Sequence, residues 1–151
     1  YRGPTVMQGY WNKPEETEAA FADGWFHSGD LVKQDEEGFV WVVDRLKDMI
    51  ISGGENIYCA EVENAIASHP AVLEVAVIGR PDERWGQVPV AVVNVAPGTE
   101  LDLAGLQEFL SGRIASYKVP KDLTVIEALP RNAGGKILKG KLRELVTEGV
   151  R

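Results

Sequence analysis

Two β-branched runs, "VLEVAVIG" at 72–79 and "VPVAVVNVA" at 88–96, stand apart by only the polar stretch "RPDERWGQ". Each run reads as a strand, and the polar residues between them as their connection. Everything around this pair must supply the rest of a sheet and its cover. "FVWVVD" and "DMIISGG" read as two earlier strands, with Asp44, Arg45, Leu46 and Lys47 on a polar connection between them. "LTVIEAL" reads as a last strand. In "AEVENAIASHP", Val62, Ala65 and Ile66 fall at helical spacing and Pro70 closes the helix. Asp102 is placed to cap a second helix, whose apolar face is Leu103, Leu106, Leu110 and Ile114. Leu138, Leu142 and Leu145 mark a terminal helix. Three or more helices against a small mixed sheet make the region from about residue 45 to 151 an α+β unit.

The amino-terminal part is different. Residues 1 to about 36 are rich in Gly, Pro and aromatics and have little sustained periodicity. Pro14 followed by "EETEAAF" is a short helix start, with Pro near the first turn and acids beside it. The first 40-odd residues have too few apolar positions to build their own core, so they read as an appendage of a larger body. The chain begins at Tyr1 with no charged-then-apolar leader, and is expected to be a piece of something longer without a secretion signal.

Bulk properties narrow the function. Hydrophobic residues make up 44% and charged residues 26%, an ordinary globular composition. The longest apolar stretch, Val88 to Ala96, contains Asn94 and is too short to span a bilayer. The single cysteine, Cys59, precludes an internal disulfide and fits a reducing, cytoplasmic setting. A net charge of −7 argues against nucleic-acid binding, which draws on phosphate neutralisation. Yet between Ala128 and Arg143 there are five basic residues, Arg131, Lys136, Lys139, Lys141 and Arg143, and no acid. A cationic stretch in an acidic chain suits a small anionic ligand.

Three strings carry candidate chemistry. In "LPRNAGGKIL", Gly134 and Gly135 let backbone approach a ligand, and Lys136 projects a compact charge suited to a phosphate or carboxylate oxygen. The spacing is not that of a Walker loop. Read alone, the plainer reading is a flexible surface turn with a solvated lysine. In "WFHSGDL", the Asp30 carboxylate could accept two hydrogen bonds from a ribose diol; an Asx-type turn or a helix cap is the plainer reading. His27 has neither nucleophile nor metal partner nearby and reads as structural, and His69 at a helix end reads as a dipole contact. In "DRLKDMIISGGENIYCAEVE", Arg45 is a candidate for ribose or phosphate oxygens and Glu55 for a backbone or lysine contact. The plainer reading there is a charged connection and a Gly-rich turn. Cys59 lacks an evident base or metal and reads as an inert, buried thiol.

In this order the strings resemble the adenylate-forming superfamily of acyl-CoA synthetases, luciferases and peptide-synthetase adenylation domains. "GYWNKPEETEAAF" and "DGWFHSGDL" resemble the end of that family's large amino-terminal domain, and "DRLKDMIISGGENIYCAEVE" its hinge and first lid strands. "IASYKVPK" and "LPRNAGGKILKGKLRE" are similar to its closing motifs. The resemblance implies a β-rich tail of the AMP-binding domain over 1–44, and a carboxy-terminal lid domain over 45–151 with its hinge at about 45–48. It implies that Asp30 and Arg45 bind the ribose of ATP and the acyl-adenylate, and that Lys47 is the pivot. Gly53 and Gly54 would line the CoA pantetheine tunnel, and Lys136 would be the adenylation lysine bridging carboxylate and α-phosphate. The implied ligands are ATP, CoA and a small carboxylic acid, fatty or aryl, with the chain's own amino-terminal domain as partner. Mg2+ is expected too, on ligands outside this chain.

Two residues depart from the family pattern. Cys59 stands where proline is usual, and Gly134 where threonine is usual. The second gives the lysine loop more freedom without removing the charge. The family's phosphate loop and "YGxTE" motif are not in this sequence. "ISGGEN" favours a CoA ligase over a peptide-synthetase adenylation domain, and a stand-alone, non-catalytic binding module is the reading from a different class.

Overall fold

In the computed structural model, residues 1–147 are described. The chain divides into two compact units, Tyr1–Lys47 and Asp48–Arg151, and residues 148–151 of the second lie outside the described residues.

In the first unit, helix α1 (Pro14–Ala20) starts at Pro14 with Glu15 and Glu16 in its first turn. Proline there gives up a donor that a helix start leaves unpaired anyway, and the acids face the positive end of the dipole. Two antiparallel ladders follow: β1 (Phe21–Ala22) with β2 (Trp25–Phe26), and β3 (Asp30–Gln34) with β4 (Val40–Arg45). None of these 47 residues is buried. Trp11, Phe39, Val40, Trp41 and Val42 are all exposed, including both faces of β4. The unit therefore has no core of its own.

The second unit is built on one mixed sheet. β5 (Ile50–Ser52) and β6 (Glu55–Ile57) form a hairpin, and β7 (Val72–Asp82) and β8 (Gly86–Val95) a longer one. β5 meets β8 at Ser52 and Gly86, and β9 (Asp122–Val125) runs parallel to β8 from Val90 to Val93. Strand alternation sends Val77, Ala91 and Val93 to one face and Ala76, Ile78, Val90 and Val92 to the other. On the first face lie α2 (Cys59–Ala67), through Val62 and Ile66, and α3 (Leu103–Leu110), through Leu106 and Leu110. The second face is covered by α4 (Lys139–Thr147), through Leu142, and by Leu129. Full burial of a side chain such as Leu142 contributes roughly 1.5–3 kcal/mol, and the sheet is covered this way on both sides. The α+β class with three flanking helices is as the sequence implies.

Several local expectations change. Asp44 and Arg45 are not on a connection but are the last residues of β4. β7 and β8 extend into the stretch expected to be loop, leaving Glu83–Trp85 as the turn. Proline is tolerated in both strands: β7, with Pro81, is an edge of the sheet, and Pro89 lies on β8 between its bridge to β5 at Gly86 and its pairing with β9 from Val90. Asp102 caps α3 as expected, its carboxylate accepting the Gly105 N–H at 2.8 Å. The helix stops at Leu110, however, so Ile114 packs on the core from outside it. Leu145 is exposed, so the inward face of α4 is Leu142 with Val146. His69 accepts the Ala71 N–H at Nδ1 (3.2 Å) and packs edge-on against Phe109.

Candidate active site

The sequence candidates fall on the two units. In the first, Asp30 opens β3 and Arg45 closes β4, and they are direct cross-strand partners. Cross-strand neighbours lie close enough for their side chains to meet, and Arg45 Nε reaches Asp30 Oδ1 at 2.8 Å. The guanidinium also donates to the Ser28 carbonyl at 3.2 Å. Ser28, not Asp30, makes the turn contact: its hydroxyl accepts the Asp30 N–H. Gly29 stands at φ +74°, and its carbonyl accepts the Leu46 N–H at 2.8 Å. The Asp30 carboxylate is mostly covered (17% exposed), while Arg45 is about half in solvent. Lys47, next along, is exposed.

In the second unit, Gly53 and Gly54 form the two-residue turn of the β5–β6 hairpin, at φ +58° and +86°. Positive φ at both central residues is the turn that matches strand twist, and glycine adopts it without Cβ strain. Gly53 N–H donates to the Trp85 carbonyl at 2.8 Å. Trp85 is itself placed by Asp82, whose Oδ1 accepts the N–H groups of Arg84 and Trp85 at 2.9 Å each. Its ring lies against Gly53 and under the Arg84 guanidinium.

The Lys136 loop is closed by a neighbour the sequence did not single out. Asn132 Oδ1 accepts the N–H groups of Gly134 (3.0 Å) and Lys136 (2.9 Å). Its backbone N–H donates to the Lys136 carbonyl, and its own carbonyl accepts from Gly135. Asn is a turn residue for this reason: its side chain imitates a backbone acceptor. Only Gly135 of the glycine pair needs positive φ (+81°). Lys136 itself is exposed and makes no ion pair among the described residues.

Behind this loop, α4 is anchored by two ion pairs. Lys139 Nζ meets Glu63 Oε1 of α2 at 2.7 Å, and Arg143 meets Asp48 at 3.1 Å. Burial works against charge on Lys139. The negative groups around it, Cys59 when ionised, then Glu63 and Asp48, outweigh burial and raise its pKa. Glu63 Oε1 also accepts the Val77 N–H of β7. Cys59 is fully buried and its Sγ–H donates to the Asp48 carbonyl. No group of His, Cys, Asp or Glu among the described residues could hold a metal ion, and no helix among them is long and apolar enough to cross a membrane.

The two loops of the second unit lie at opposite ends of the long hairpin. The Gly53 turn adjoins its closed end, where Asp82 pairs with Gly86 and Gly53 bonds Trp85. The Lys136 loop adjoins its open end, where Arg131 joins Glu74, itself paired with Asn94. At about 3.3 Å per residue, positions 74 and 82 are roughly 26 Å apart along β7.

The sequence profile of the AMP-binding enzyme C-terminal domain matches residues 61–136, from α2 to Lys136. The chain belongs to this family. An indoleacetate–CoA ligase of Aromatoleum aromaticum is 52% identical over 145 residues, 96% of this chain and 28% of its own length. A feruloyl-CoA synthase of an Amycolatopsis species is 55% identical, over 93% of this chain and 29% of its own. Among solved structures, the o-succinylbenzoate CoA synthetase of Bacillus subtilis with its acyl-adenylate intermediate matches with TM-score 0.86 and 45% identity, over 94% of this chain and 29% of that one. This member of the AMP-binding C-terminal family thus spans under a third of the length of these relatives.

Proposed function

We propose that this chain is the carboxy-terminal part of an ATP-dependent acyl-CoA synthetase acting on a fatty or aryl carboxylic acid, cytoplasmic in location. A carboxylate oxygen attacks the α-phosphorus of ATP and pyrophosphate leaves, giving acyl-adenylate. The CoA thiol then gives up its proton, its sulfur attacks the acyl carbon, and AMP leaves.

The observation that carries this reading is the separation of the Gly53 and Lys136 loops at the two ends of the β7–β8 hairpin. Loops that adjoin opposite ends of one rigid sheet, beside strand positions roughly 26 Å apart, cannot face one reacting centre together. If both serve one site, the unit must turn between steps. Lys136 is presented for adenylation, where it neutralises charge as carboxylate meets phosphate. The Gly53–Gly54 turn is presented for thioester formation, where side-chain-free backbone leaves room for pantetheine. Lys47 is the pivot, a role supported by the division of the chain between Lys47 and Asp48. Asp30 accepts the ribose hydroxyls; Arg45 orients it through Oδ1, and the other carboxylate oxygen has no partner among the described residues. Mg2+ would be held by residues outside this chain.

The test is to assay the complete protein with ATP, Mg2+ and a panel of fatty and aryl acids, with and without CoA. Pyrophosphate release with acid, and acyl-CoA once CoA is added, are expected from the complete protein. The 151-residue chain alone should yield neither. Adenylate without any thioester would favour a peptide-synthetase adenylation domain, and no nucleotide turnover at all would favour a binding module.

A further inference from the structure

Lys136 sits on an exposed loop containing two glycines, yet its function needs its charge in one place. Asn132 closes the loop on itself, but self-closure does not fix the loop against the sheet. Arg131 does. Its Nη1 donates to the Gly135 carbonyl, immediately before Lys136, at 2.6 Å, and its Nη2 pairs with Glu74 of β7. The Arg131 backbone also bridges to Ile137, immediately after Lys136. One planar guanidinium thus ties the peptide preceding Lys136 to the rigid long strand, and a lysine could not span both partners with the same fixed geometry. Arg131 and Glu74 are both substantially exposed, and such pairs contribute little to global stability. The arrangement is therefore suited to aiming a loop rather than holding a fold.

We propose that Arg131, held by Glu74, is the positioning residue for Lys136 in acyl-adenylate formation. The inference rests on the acyl-CoA synthetase reading above. Removing the tie lets the loop swing on Gly134 and Gly135, and displacing a catalytic group by about 1 Å costs on the order of 10²-fold in rate.

The experiment compares Arg131→Ala, Arg131→Lys, Glu74→Gln and Arg131→Ala/Glu74→Gln in the complete enzyme by single-turnover kinetics of each half-reaction, with Lys136→Ala as reference. Arg131→Ala and Glu74→Gln change local charge in opposite directions, so a purely electrostatic role would move their rates oppositely. Positioning slows adenylation in both, on the order of 10-fold or more, with Arg131→Lys intermediate, the KM for ATP little changed and thioester formation from supplied acyl-adenylate within about twofold. The double variant is no slower than the worse single one, because both remove the same tie. In the 151-residue chain, amide relaxation at Gly135 and Lys136 should report added motion in both single variants at an unchanged melting temperature. Unchanged adenylation in Glu74→Gln, or equal slowing of both half-reactions, overturns the proposal while leaving the synthetase reading intact. If Lys136→Ala itself does not slow adenylation, the synthetase reading of Lys136 falls, and this inference falls with it.

Discussion

The ring of Trp85 occupies the space that a side chain at position 53 would need: a Cβ built on Gly53 would lie 2.8 Å from Trp85 Cε3. The same glycine stands at φ +58° and donates its N–H to the Trp85 carbonyl. Steric room, backbone hand and hydrogen bonding thus all select glycine there.

Gly53→Ala should lower the stability of the chain by about 1–3 kcal/mol, combining left-handed backbone strain with the clash. Urea unfolding checks it. In a Trp85→Ala background the penalty should shrink to the backbone part alone, because the opposing ring is gone. An alanine variant as stable as the parent would mean that the turn refolds into another conformation.

The two units should differ in resistance to proteolysis. Tyr1–Lys47 has no buried residue, whereas Asp48–Arg151 holds every buried core side chain, and local opening follows low burial. Limited digestion of the 151-residue chain should remove the first 40-odd residues and leave a resistant remainder. Uniform protection across both units would contradict this.

Lys118 and Glu61 make a two-pronged ion pair, Nζ to Oε1 at 2.6 Å and to Oε2 at 2.7 Å. The hydrogen bond to Glu61 raises the lysine pKa above its usual 10.5, against a smaller opposing effect of burial. The folded chain then holds this proton more tightly than the unfolded chain does. The stability it contributes is complete below about 10.5 and is lost as pH rises through the folded value. Since Glu61 is partly in solvent, the contribution is about 1 kcal/mol or less. The stability difference between the parent and Lys118→Gln should be constant from pH 7 to 9 and shrink above 10.5. A difference that grows with alkaline pH would reverse the assignment.

Much of this was legible residue by residue. Asp102 announced its helix because a cap acts on its own neighbours, and Val77, Ala91 and Val93 announced strands because alternation is local. What lay beyond reach were pairings set by the fold. Arg45 reads as connection because it is charged, yet it belongs to β4 because Asp30 across the ladder compensates its charge. Arg131 belongs visibly to a cationic stretch, but its partner Glu74 is 57 residues away. The placement of the Gly53 and Lys136 loops at opposite hairpin ends likewise follows from the β7–β8 register, which no short window contains. Trp85 sits in a polar stretch with nothing to mark it as the wall behind Gly53.

The central claim is that one turning unit serves two half-reactions through different loops, and Lys136→Ala in the complete enzyme tests it most directly. Single-turnover rates would be measured separately for acyl-adenylate formation and for thioester formation from supplied acyl-adenylate and CoA. Losing one such charge contact typically costs on the order of 10²–10³ in rate. That loss is expected in adenylation, with thioester formation nearly unchanged. Equal slowing of both steps would contradict the account and make Lys136 a general structural cation.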